Sequence, residues 1–115
     1  MKYEGSCHCG RIAYEVEGTI ESLMECNCSI CSRRGHLLWF VPRDLVKLKT
    51  PESDMSTYTF NKHVIKHNFC PECGCAPLGF GTDPKGNRMA AINARCIQDL
   101  DFSQFKIVHF DGRST

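Results

Sequence analysis

The sequence lacks any apolar stretch near the roughly 18 residues of a membrane-spanning helix, and its start, Met1-Lys2-Tyr3-Glu4-Gly5-Ser6-Cys7, lacks the apolar core of a signal peptide. No helical anchor or export signal is expected, which points to a reducing cytoplasm. An excess of either charge is also missing, since 14 Lys and Arg face 13 Asp and Glu. Nucleic-acid binding driven by bulk charge is therefore poorly supported. No stretch of about a dozen residues carries a 3.6-residue apolar rhythm, and no linker, low-complexity tract or repeat beyond the cysteine pairs is present. Turn signals recur roughly every eight to twelve residues, as all-β chains require.

What the sequence has in quantity is cysteine, nine in 115 residues. At this length a single domain over residues 1–115 is expected, small enough for metal clips to add usefully to its stability. Cysteine at this density means either a disulfide framework or a reduced metalloprotein. The odd count and the Cys-x-Cys and Cys-x-x-Cys spacings favour metal.

Cys7-His8-Cys9-Gly10 and Cys70-Pro71-Glu72-Cys73-Gly74 supply the four thiols of a closed tetrahedral zinc site. Tetrahedral sulfurs lie within about 4 Å of each other, so each pair must sit on a tight turn. Gly10 and Gly74 can provide the positive φ that such turns favour. A redox dithiol at Cys70 and Cys73 is the competing explanation. With four thiols in place, His8 is expected to stay outside the ligand set.

Cys26-Asn27-Cys28-Ser29-Ile30-Cys31 packs three more thiols into six residues, followed by Arg33 and Arg34. Three soft ligands fit a zinc site with one position left for water or substrate. They equally fit a closed site whose fourth ligand is Cys75, His36 or Cys96. Seven thiolates against two dications would turn the formal charge of +1 into about −2.

Strands are expected where apolar residues alternate or run together. Ile12, Tyr14 and Val16 share one face of residues 11–17, ended by Gly18, and a short strand from Ile20 to Met24 leads into the three-cysteine loop. His36 to Val41, stopped by Pro42, suits a strand buried on both faces or one lining a pocket. Leu45, Val46 and Leu48 lead into turn material at 50–54, the one expected flexible loop. Runs at 56–60 and 63–69 flank a two-residue turn at Asn61-Lys62, and Asp83-Pro84-Lys85-Gly86-Asn87 turns between 78–80 and 89–92. A turn or single helical turn at 99–105 precedes a last strand at 106–110.

Gly5-Ser6-Cys7-His8-Cys9-Gly10, Cys26-Asn27-Cys28-Ser29-Ile30-Cys31, Phe69-Cys70-Pro71-Glu72-Cys73-Gly74, Asn93-Ala94-Arg95-Cys96 and His109-Phe110-Asp111-Gly112-Arg113 occur in this order over essentially the whole chain. Together they resemble the glutathione-dependent formaldehyde-activating enzymes, a superfamily that includes centromere protein V. The resemblance implies a small zinc-clipped β-tent of packed antiparallel sheets and two Zn2+ per chain. Cys7, Cys9, Cys70 and Cys73 match the structural zinc ligands, and Cys26, Cys28 and Cys31 match those of the catalytic zinc. The implied reaction joins glutathione to formaldehyde, giving S-hydroxymethylglutathione, and is classed as a carbon-sulfur lyase reaction. Ser32 before Arg33 and Arg34, and Cys75 after Cys73-Gly74, depart from the usual pattern. Should Cys75 close the second site, thiol activation there would be lost.

Arg33, Arg34 and Arg95 are candidate clamps for substrate carboxylates, with a solvated basic turn as the alternative. His63 and His67 share a strand face with Ile65 and Phe69 and are candidate pocket acid-base groups. Trp39, Phe40, Phe60, Phe69 and Phe80 are expected in the core, with one of them lining a pocket. Cys96 reads as a buried free thiol, and no general base is identifiable. The leading expectation is a cytoplasmic zinc enzyme that adds glutathione or a similar thiol to formaldehyde or a small aldehyde. The rival is a non-enzymatic zinc module binding a protein or nucleic-acid partner through Arg33, Arg34, Arg43, Lys47, Lys49, Lys62 and Lys66. An unpaired strand edge could support a homodimer.

Overall fold

The computed structural model describes residues 1–60 and 64–114. The expected Asn61-Lys62 turn and His63 lie outside them. Among the described residues three sheets carry the fold. The first has the order β1-β2-β5, from Lys2–Ser6, Ala13–Glu17 and Val46–Leu48. In β2 the strand alternation buries Tyr14 and Val16 completely and pairs them with Leu48 and Val46 of β5. On its other face Glu15 pairs with Lys47, and Lys49 bridges Glu4 and Glu15.

The second sheet has the order β10-β3-β4-β9-β8. Its members are β3 (Ser22–Cys26), β4 (Leu38–Pro42), β8 (Leu78–Thr82), β9 (Arg88–Asn93) and β10 (Lys106–Phe110). The pairings are antiparallel except for β10 on β3, which run parallel. β4 is not buried on both faces. Trp39 and Val41 are buried while Phe40 is 47% exposed, because Leu38 and Phe40 form the wall of a cavity.

The third sheet is the β6/β7 hairpin, Ser56–Tyr58 with His67–Phe69. Its described ladder ends at Tyr58 and His67. Single bridges from Lys66 to Phe80 and from Gly5 to Ile97 tie the sheets together. The Asp83 turn forms as expected, with the Asp83 carboxylate accepting the Lys85 and Asn87 amides at 2.9 and 2.8 Å. A single helical turn at Phe102–Gln104, capped by Asp101, precedes β10.

The described strands of the expected 56–60 and 63–69 runs are shorter, Ser56–Tyr58 and His67–Phe69, and two further features differ from the sequence expectations. The stretch at 50–54 carries a helical turn at Glu52–Asp54, whose carboxylates reach Arg43 at 3.6 Å and Arg11 at 3.9 Å. The other is a six-residue helix, α1 (Ser29–Arg34), inside the cysteine motif. It is shorter than two turns, so no periodicity could reveal it. Gly35 closes it at φ 69° and donates its N–H to the Cys31 carbonyl at 2.9 Å. Among the described residues no helix is long and apolar enough to cross a membrane.

The core gathers Ile12, Tyr14, Leu23, Trp39, Leu78, Ile92 and their neighbours. Gly5 lies opposite Tyr14, and a Cβ at Gly5 would come within 2.4 Å of the ring. Backbone and ring pack so closely there that the Tyr14 hydroxyl, fully buried, finds no hydrogen-bond partner among the described residues. An unsatisfied buried hydroxyl costs about 1–3 kcal/mol. Tyr14→Phe is therefore expected to raise stability by about 1 kcal/mol, read as a higher urea midpoint at unchanged slope. A lower midpoint would show that the hydroxyl is satisfied after all.

Candidate metal centres and the adjoining cavity

The Cys7, Cys9, Cys70 and Cys73 sulfurs lie within 4.8 Å of one another. Cys9 is 3.7 Å from Cys7 and 3.6 Å from Cys70, close to the roughly 3.8 Å edge of a tetrahedron with 2.3 Å bonds. Each pair sits on a turn whose glycine has positive φ, 85° at Gly10 and 81° at Gly74. Gly74 donates to the Cys70 carbonyl at 2.9 Å, and Gly10 to that of Cys7 at 3.3 Å. The turns also aim amides at sulfur, Ile12 N at Cys7 Sγ (3.3 Å) and Cys73 N at Cys70 Sγ (3.4 Å). Such donors favour thiolate over thiol.

Four thiols in contact cannot all ionise without a counter-charge. The backbone amides of Cys75 and Cys9 hold Cys73 down to about 5. Cys9 goes the other way: the Arg11 amide lowers it, but Cys70, burial and the other sulfurs push it up to about 12. A dication removes that conflict, so donor set and spacing fit zinc.

The second group is Cys26, Cys28 and Cys31, again with sulfurs within 4.8 Å of one another. β3 delivers Cys26, Cys28 starts α1, and Cys31 lies one turn later. Here too the thiols divide. Burial opposes ionisation of Cys28, but the Cys31 backbone and the Cys31 and Cys26 thiols hold it below the ordinary thiol value. Cys31 is driven up, first by burial and then by Cys28 and Cys26.

Among the described residues no fourth ligand joins this group. Cys75 gives its carbonyl to the Cys70 amide at 2.9 Å and packs against the core. Cys96 receives the Asn93 side-chain amide at 3.6 Å, and burial pushes it up to about 11. It is only partly buried, so the expected buried free thiol is half right. His36 stands nearby in the cavity wall.

The closing segment clasps the triad. Asn27 donates its backbone N–H to the Phe110 carbonyl (3.2 Å) and its side-chain amide to Asp111 (3.0 Å), and accepts the Arg113 N–H (3.0 Å). This brings Gly112 over the sulfurs, where an added Cβ would lie 2.7 Å from Cys26 Sγ and 3.1 Å from Cys28 Cβ. Gly112→Ala is expected to weaken metal retention at this group about tenfold in a chelator competition while leaving the four-sulfur group unchanged. Equal retention at both would remove the clasp's role.

The three sulfurs line a cavity of about 360 Å³. Its walls come from β3, β4, β7, β8, β9, α1 and the closing segment, and include Met24, Leu38, Phe40, Phe60, Ile65 and Phe110. Arg34, His36 and His67 also line it. His67 stacks on Phe60 with ring centroids 5.2 Å apart. Burial, then the Arg34 guanidinium, lowers both imidazoles, bringing His36 down to about 4. They are neutral at physiological pH.

The other two candidate clamps are engaged elsewhere. Arg33 donates to the Ser29 carbonyl at 2.7 Å, and Arg95 donates to that of Gly35 at 3.2 Å and lies over the Phe102 ring. Of the further cations considered for a binding surface, Arg43 pairs with Glu52 and covers Phe80, and Lys49 is bridged twice. Lys62 lies outside the described residues. Phe40 and Phe60 are cavity residues rather than core, whereas Trp39 is core.

A crystal structure of a Rhodobacter sphaeroides protein superposes with a TM-score of 0.80 at 22% identity, over 93% of this chain and 99% of that one. That likeness concerns the fold. The family model for the glutathione-dependent formaldehyde-activating enzyme matches residues 2–108. Its span takes in both cysteine groups and nearly all the strands that position them, and the chain belongs to this family.

Proposed function

We propose that this chain is a zinc-dependent enzyme of the carbon-sulfur lyase kind, adding glutathione or a similar low-molecular-weight thiol to formaldehyde or a small aldehyde. The observation that carries the reading is the position of Cys26, Cys28 and Cys31, which face a cavity and have no fourth ligand among the described residues. Four sulfurs make a closed clip, whereas three beside an open space leave room for a reactant. The proposal uses two zinc ions per chain, a structural one on Cys7, Cys9, Cys70 and Cys73 and a catalytic one on the triad. At the triad zinc would supply a Lewis acid that keeps a reactant thiol ionised at neutral pH.

In the addition, sulfur attacks the carbonyl carbon and a carbon-sulfur bond forms. The carbonyl π pair moves to oxygen, and the proton lost by the thiol returns there. Neutral His67 can take that proton and give it back, since it lines the cavity with a free basic form, whereas His36, held down to about 4, is the weaker base. The apolar wall limits competing water. Of the arginine candidates, Arg34 is the one best supported as a carboxylate partner, with Arg33 and Arg95 held to backbone carbonyls.

The test is exchange NMR on carbon-13 formaldehyde with excess thiol and the zinc-loaded protein. Faster interconversion of free and S-hydroxymethyl carbon is expected. A rate equal to that of thiol and formaldehyde alone, across several thiols, would sink the reading.

A further inference from the structure

The cavity is much larger than formaldehyde alone and its described wall is largely apolar, so most of the space is left to the thiol. Formaldehyde has the bulk of about two waters, roughly 60 Å³, against about 360 Å³ of space. Phe40, Phe60, Ile65, Leu38 and Phe110 dominate its wall, and the described lining residues include no Asp or Glu. Arg34 is the one Lys or Arg among them.

Resting on the thiol-addition reading above, we infer that the thiol taken here is an aryl or branched-alkyl thiol with a single carboxylate, rather than the tripeptide glutathione. Its apolar body lies against Phe40, Phe60 and Ile65, and its carboxylate meets Arg34. Arg34 follows Cys31 by three residues on α1, which makes the two side chains neighbours about 5–6 Å apart at Cβ. A carboxylate a few bonds from the sulfur therefore reaches the guanidinium while the sulfur stays at the triad. The space left over suits a small aldehyde.

Glutathione fits this wall less well. It carries an ammonium and two carboxylates, and an ammonium entering the cavity meets no acidic partner among the described lining residues to replace its hydration. Among the described lining residues its second carboxylate finds no cation besides Arg34, since neither Arg33 nor Arg95 lines the cavity. Binding glutathione with both ends outside would leave the aromatic wall wet.

The experiment is a calorimetric titration of the zinc-loaded protein with 2-benzyl-3-mercaptopropanoate, its methyl ester and glutathione. The acid is expected to bind at least about tenfold more tightly than glutathione. In Arg34→Gln the acid should weaken about tenfold and the ester should not change. Glutathione binding as tightly as the acid in the unsubstituted protein would overturn this inference and leave the thiol-addition reading standing. No binding of any of the three would overturn both. If Arg34→Gln does not fold, the ranking in the unsubstituted protein decides alone.

Discussion

Cys70→Ser is expected to abolish cooperative folding. Cys70 is fully buried, lies 3.6 Å from Cys9 and accepts the Glu72 and Cys73 amides. Its group joins the end of β1 to the end of β7, segments about sixty residues apart in sequence. Structural zinc sites contribute an apparent 10–16 kcal/mol or so in small zinc domains, which equals or exceeds the usual net stability of about 5–15 kcal/mol. Removing one ligand should therefore cost most of the fold. The measurement is near-ultraviolet circular dichroism with zinc analysis, and a folded variant that retains its full zinc would refute the clip. Cys75→Ser is the control. Its sulfur belongs to neither group, so a loss of about 1–2 kcal/mol is expected there.

Cys28→Ser should do the reverse, losing chemistry and keeping the fold. Its group lies at the cavity wall, on one short helix and the end of one strand, with no buried residue in α1. A Lewis acid is worth several kcal/mol of transition-state stabilisation. Losing about 4 kcal/mol lowers the rate roughly 10³-fold. The thiol-aldehyde exchange rate should fall by about that factor while the melting temperature moves by only a few degrees. Unchanged exchange in a variant shown to have lost this metal would remove the triad from the reaction. Together the two substitutions separate a closed group that holds the chain from an open one that works on a reactant.

Much of this was legible in the residues because two signals agree. Alternation placed Ile12, Tyr14 and Val16 in the core, and all three are fully buried. The Cys-Gly steps at Gly10 and Gly74 announced turns with positive φ, and both have it. The Asp83 turn was readable from its local hydrogen-bonding chemistry, which needs no distant partner.

What escaped the sequence depends on distant partners. α1 is too short for periodicity, and its ends are set by the cysteine loop and Gly35. The parallel pairing of β10 on β3 joins segments with no local signature in common. For the same reason the clasp of Asn27 by Asp111 and Arg113 was invisible, although its residues stood among the motifs that carried the resemblance. Phe40 looked like core because a hydrophobic run does not reveal which face meets a neighbour and which a cavity. His36 reads from the sequence as a possible ligand or as part of a pocket-lining run, and it stands in the cavity wall as a neutral imidazole beside Arg34.

The central claim is that one sulfur group is closed and the other open. Zinc per chain, counted on protein purified without added metal and again after mild chelation, tests it most directly. Two zinc ions falling to one, with near-ultraviolet dichroism intact and thiol-aldehyde exchange lost, is the result expected. Two that resist the chelator until the protein unfolds would mean that both groups are closed, and would contradict it.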